Sequence, residues 1–133
     1  MIEKQANFVR LKNFGALNNP DGHGKAQNHC GETMEVFLRI RNSRVAEALF
    51  FTDGCWHTVQ AGSAVTELAQ GRALRDCMAI TGRMVLETIG DFPPDHGHCI
   101  RQALSALKKA LRDYALKANS KIIPEKSSIG RRL

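Results

Sequence analysis

Between Thr33 and Arg41 the chain alternates. Met34, Val36, Leu38 and Ile40 fall on one side, and Glu35, Arg39 and Arg41 on the other. Period two with one polar side predicts an antiparallel strand, one face on a core and one face wet. Arg41-Asn42-Ser43-Arg44 reads as a short turn. Val45 to Phe51 reads as a second strand with Val45, Leu49 and Phe51 on one side, so the pair predicts a hairpin. A third strand is weakly marked around His23 to His29. From Trp56 the period changes. Val59, Ala61, Gly62, Ala64, Val65, Leu68 and Ala69 predict a helix of small residues stopping at Gly71 and able to approach a sheet closely. Ala73 to Met78 and Thr81 to Ile89 predict two short helices, the second with Thr81 as N-cap and Gly90 as stop. Phe92-Pro93-Pro94-Asp95 is an extended break. Ile100, Ala103, Leu104, Leu107, Leu111 and Tyr114 then form a helical stripe reaching about Lys117. Ahead of all this, Asn18-Asn19-Pro20-Asp21-Gly22 and Gly24 are turn chemistry, and Asn7 to Leu17 holds a short helix at most. A hairpin followed by helices predicts an α+β fold with the helices packed on one sheet face.

Composition adds little to that picture, but it excludes several classes. With 133 residues, 43% hydrophobic and 24% charged, this is one ordinary globular domain and not a disordered chain. No apolar run approaches the roughly 18–20 residues that cross a bilayer, so no membrane association is expected. Met1 to Arg10 alternates charged and apolar residues and shows no secretory signal, which points to a cytoplasmic protein. The net charge is +6. Lys117, Lys121, Lys126, Arg131 and Arg132 against Glu125 alone supply +4 of it, leaving +2 for residues 1–116. Residues 1–116 are therefore read as a single domain and 117–133 as a basic, flexible C-terminal tail. Tyr114 is the one aromatic residue near these charges, so a stacking platform for nucleic acid is not expected.

The chemistry lies in the cysteines. Cys30, Cys55, Cys77 and Cys99 form no CxxC pair, so any site they share must be assembled by folding. In a reducing compartment metal ligation or reactive thiols are favoured over disulfides. Three of the four share a setting: Cys30 precedes Gly31-Glu32, Cys55 follows Gly54, and Cys99 follows Gly97-His98. All three stand at element ends. Cys55 and Cys99 are expected at helix N-termini, where unpaired N–H groups favour the thiolate that binds metal and attacks sulfur. Cys77, inside a short helix, reads as a buried small hydrophobe. His29 and His57 are further candidate ligands. A hydrolase is not expected. There is no nucleophile-elbow, GxGxxG or P-loop pattern, and His98 and Cys99, as helix neighbours, should point about 100° apart.

The chain resembles the NifU-N/IscU family of iron–sulfur cluster assembly scaffolds. The matching stretches are Asn18-Asn19-Pro20-Asp21-Gly22-His23-Gly24 leading to Cys30-Gly31-Glu32, then Phe51-Thr52-Asp53-Gly54-Cys55, then Phe92-Pro93-Pro94 followed by His98-Cys99. They run over roughly Phe14 to Leu116. The resemblance implies a three-stranded antiparallel sheet with helices on one face and a cysteine cluster at one tip. It implies a scaffold and not an enzyme: a protein that takes sulfur from a cysteine desulfurase, takes iron, builds a transient [2Fe–2S] cluster and passes it to acceptor apo-proteins. Carried over, the ligands are Cys30, Cys55 and Cys99 with Glu32 and His98, and Cys99 is the persulfide acceptor. The alternative is a zinc protein, structural or sulfur-accepting, using Cys30, Cys55, Cys99 and either His98 or Glu32.

Four departures from the family stand out. Glu32 occupies a position usually held by Asp. The family's chaperone segment resembles Leu-Pro-Pro-Val-Lys, and here it reads Phe92-Pro93-Pro94-Asp95-His96, without the lysine, which counts against chaperone handover. Gly97 is expected to loosen the loop before His98. Trp56-His57 replaces small residues after the second cysteine.

Overall fold

A computed structural model describes residues 12–122. Three strands, β1 (Gly22–Gln27), β2 (Thr33–Arg41) and β3 (Arg44–Thr52), are followed by helices α1 (Trp56–Ala69), α2 (Leu74–Met78) and α3 (Gly82–Ile89). A 3-10 turn at Pro94–His96 then leads into the long helix α4 (Gly97–Ile122). The strands form one antiparallel sheet in the order β1-β2-β3. The weakly marked third strand exists: β1 pairs from Gly22 opposite Leu38 to Gln27 opposite Thr33. Asn42 and Ser43 turn β2 into β3 with φ of 53° and 60°. Two left-handed residues are what a two-residue hairpin needs to match the twist of its strands.

The helices lie on one face of the sheet. α4 covers β1 and β2, and α1 covers β3. Met34, Val36, Leu38 and Ile40 are buried beneath them, as the alternation predicts. β3 differs from the expected phase. Ile40 faces Val45 but Arg39 faces Glu47, so Ala46 is an extra, unopposed residue. This bulge turns Ala48, Phe50 and Thr52 inward with Val45, and puts Leu49 and Phe51 on the outer face.

Close approach is made possible by missing side chains. A methyl group on Gly24 would run into the α4 backbone at Ala106 and Ala110, and one on Gly62 into the Phe50 ring. Ala103, Ala106 and Ala110 of α4 and Ala61, Ala64 and Ala69 of α1 are buried as well. Thr81 caps α3 as expected, its hydroxyl accepting the Met84 N–H at 3.2 Å.

Two expectations about the ends change. Residues 7–11 lie outside the described residues, and 12–17 show no helix. Instead the Asn13 carbonyl accepts the Phe50 N–H and the Gly15 N–H donates to the Phe50 carbonyl, which places this segment along the free edge of β3. The last helix passes Lys117 and reaches Ile122. Lys117 pairs with Asp113 one turn back at 3.1 Å, and the next residue that cannot continue a helix is Pro124. The start of the segment read as tail is thus helical.

Candidate functional site

Three connections meet at one end of the sheet: the β1–β2 loop with Cys30 and Glu32, the β3–α1 turn with Cys55, and the start of α4 with His98 and Cys99. The loop is shaped by one side chain. Asn28 Oδ1 accepts the backbone N–H groups of both Cys30 and Glu32, at 2.9 and 3.0 Å. Its amide nitrogen reaches Glu32 Oε1 at 3.1 Å. Gln102, buried on α4, donates to the carbonyls of Ala26 and Glu32 at 3.2 and 2.9 Å and ties the loop to the helix. Cys30 is exposed at the apex. On the other side the Asp53 carboxylate accepts the Thr33 N–H at 2.9 Å, which fixes the turn that carries Gly54 and Cys55.

Cys55 and Cys99 are brought together through Thr58. The Thr58 hydroxyl stands 3.3 Å from the Cys99 sulfur and 3.7 Å from the Cys55 sulfur. Cys55 is the N-cap residue of α1 and is exposed. Partial burial pushes its thiol up, but the Thr58 backbone N–H, the Thr58 hydroxyl and the His57 backbone N–H outweigh that, and the net shift is downward. Free amides at a helix N-terminus favour the thiolate, as expected for this residue.

Cys99 departs from the same expectation. It is the third residue of α4 and fully buried. Burial pushes its thiol up, the Thr58 hydroxyl only partly offsets this, and the proximity of Cys55 and Glu32 adds to the rise. Desolvation outweighs the helix terminus here. His98 also differs from expectation: its Nε2 lies 3.7 Å from the Cys99 sulfur. The Cα–Cβ directions diverge, but an imidazole is long enough to reach back. Gly97 is the first residue of α4, with φ −59° and ψ −26°, and so belongs to the helix and not to the preceding loop. Cys77 is buried, hydrogen-bonded to the Ala69 carbonyl at 3.5 Å, and its thiol is pushed up to about 11 by burial, as suits a packing residue.

Of the residues singled out in the sequence, Cys55, Cys99 and His98 make a contact chain with Thr58, and Glu32 is close enough to raise both thiols. No side-chain hydrogen bond joins the Cys30 thiol to them among the described residues, though it sits on the loop that Gln102 holds. His29 comes to 6.1 Å from His98, ring centre to ring centre. Sequence reasoning missed Thr58, Asn28 and Gln102, which have no motif of their own. It also missed His96, whose ring centre lies 4.0 Å from that of His57. One ligand atom from each of Cys55, His57 and His96 falls within 4.8 Å of the others. The spacing His96-x-His98-Cys99 was the available signal.

A small α+β domain that gathers thiols, imidazoles and a carboxylate at one end of its sheet carries the donor set of soft and borderline metal ions. The pattern described as "NifU-like N terminal domain" matches residues 5–121, and the chain belongs to that family. It is 33% identical over 116 residues to the iron-sulfur cluster assembly scaffold protein IscU 1 of Archaeoglobus fulgidus, covering 86% of this chain and 75% of that one. It is 31% identical over 119 residues to the IscU scaffold protein of Escherichia coli, covering 86% of this chain and 92% of that one. The fold matches a crystal structure titled as a nitrogen-fixing NifU-like protein (N-terminal) from Brucella abortus, with a TM-score of 0.62 and 18% identity. That match covers 82% of this chain and 89% of that one, and it shows the fold. No described helix is long and apolar enough to cross a membrane.

Proposed function

We propose that this protein is an iron–sulfur cluster assembly scaffold, a carrier and not an enzyme, like the relatives that bear that name. The observation that carries the reading is the Cys55–Thr58–Cys99 chain: two thiols from different elements, bridged by one hydroxyl, with His98 and Glu32 beside them. Cluster iron takes mainly thiolate ligands, and one exchangeable nitrogen or oxygen donor keeps a cargo transferable. The ligand set is Cys30, Cys55 and Cys99, completed by Glu32 or His98, and the cargo is a [2Fe–2S] cluster.

Sulfur arrives from a cysteine desulfurase as a persulfide. The Cys99 thiolate attacks the outer sulfur, the donor S–S bond breaks, and the donor leaves as a thiolate. Cys99 is buried and holds its proton, so this step requires the tip to open and a base to take that proton. Acceptor apo-proteins then take the cluster. Handover without a dedicated chaperone agrees with His96 standing where the family segment has lysine. The reducing cytoplasm suits an assembly of free thiols. The alternative of a structural zinc protein is not favoured by relatives named as scaffolds.

The test is anaerobic reconstitution with Fe²⁺, cysteine, a desulfurase and a thiol reductant that supplies the electrons taking persulfide sulfur to sulfide, followed by absorption and Mössbauer spectroscopy. A [2Fe–2S] spectrum is expected, lost on replacing Cys30, Cys55 or Cys99 by Ser. Undiminished assembly in the triple Cys→Ser variant would sink the reading.

A further inference from the structure

Four of the five histidines crowd the cysteine-bearing tip, in ring contacts that run from His57 to His96, from His96 to His98 and from His98 to His29. At one end of this string His57 and His96 meet Cys55. We infer that Cys55, His57 and His96 form a second, overlapping site for a single divalent transition ion of the zinc class, one that shares Cys55 with the cluster ligand set and adds two histidines outside it.

The ligand atoms of the three residues lie within 4.8 Å of one another. In a tetrahedral zinc site with Zn–S near 2.3 Å and Zn–N near 2.0–2.1 Å, such atoms stand about 3.3–3.6 Å apart. Closing the difference takes a movement of about 1 Å, within reach of side chains that are exposed or half-buried. One sulfur and two imidazole nitrogens suit zinc, cobalt and ferrous iron, and not magnesium or calcium.

The surroundings already orient the ligands. Asp95 Oδ1 lies 3.1 Å from His96 Nδ1, which leaves Nε2 as the free ligand atom. A carboxylate behind a histidine is the usual outer partner of a metal-bound imidazole. His57 stands edge-on to the Phe92 ring, with centres 5.7 Å apart and planes at 89°. Cys55 and His57 come from the start of α1 and His96 from the 3-10 turn, so an ion would clamp two separate segments.

The inference does not rest on the scaffold reading, because it needs neither sulfur donor nor cluster. It is tested by titrating Co²⁺ into the full chain bearing Cys30→Ser and Cys99→Ala, with folding checked by circular dichroism. The expected result is one Co²⁺ per chain, with a thiolate-to-cobalt charge-transfer band. Adding His57→Gln and His96→Gln should weaken binding more than about 100-fold, and Asp95→Ala alone about 10-fold, the range seen for lost outer partners. A folded parent that shows no such band overturns the inference. So does unchanged affinity after both histidines are replaced. Should Cys99→Ala unfold the chain, Cys30→Ser with His98→Gln serves as the parent, and the same two criteria apply.

Discussion

Gly24 is where β1 lies against the α4 backbone, and Gly24→Ala is the sharpest test of how the tip is held. The new methyl would stand 2.9 Å from the Lys109 carbonyl carbon and closer still to Ala106 and Ala110 backbone atoms. A helix backbone has no rotamer to change, so α4 must lift by about 1 Å, and a gap of that size forfeits a quarter to a half of each facing dispersion well. Overpacked cores lose about 1–3 kcal/mol, and a rigid neighbour puts this case near the top, about 3 kcal/mol. For a chain of this length that is a fall in Tm of about 10 °C. Gly71→Ala is the control. Gly71 has φ +85° and open space around it, so only backbone strain is added, about 1–2 kcal/mol. Urea unfolding of both variants decides the matter. A loss at Gly24 no larger than that at Gly71 refutes the close-approach argument. Because α4 also carries Cys99, the same lift should speed alkylation of that buried thiol, which mass spectrometry reads directly.

Three further outcomes are expected. Cys55 should alkylate with a pH midpoint below that of an ordinary thiol and Cys99 above it; Thr58→Val removes a hydroxyl that favours both thiolates, so both midpoints should rise. Unmoved midpoints would remove Thr58 from the account. The Cys77 thiol, at about 11 when folded, keeps its proton after the unfolded thiol has lost its own. Stability should therefore fall by about 2–3 kcal/mol as pH rises from the ordinary thiol range to 11. The difference between the native chain and Cys77→Ala in urea unfolding at neutral and high pH measures it, and a pH-independent difference would count against it. Thr81→Ala should cost about 1 kcal/mol through the lost cap of α3, read by the same method, and no loss would mean that packing alone ends the helix.

The legible parts of the sequence were those with one dominant period. β2 shows its buried face openly because four branched or long apolar residues alternate without interruption. β3 does not, since Ala46 breaks the period and no local signal marks a bulge whose cause lies in the pairing with Arg39 and Ile40. β1 was faint because glycines occupy two of its three inward positions, a choice dictated by α4 and not by strand propensity. At the tip, glycines and element ends marked the cysteines, but burial is a tertiary property, and it reversed the expected shift of Cys99. His96 escaped notice because its partner His57 lies 39 positions away in the chain and meets it only in the fold.

The amide arrangement around Asn28 has an entropic consequence. A free five-residue loop would have to be ordered whenever something bound to it, at about 1–2 kcal/mol for each residue. Here the N–H groups of Cys30, Gly31 and Glu32 are already taken by Asn28, through its side chain or its carbonyl. Folding has met that cost in advance. What remains for Cys30 to lose on capture is the rotation of one short side chain. Its thiol can take hold and let go with little change in order elsewhere.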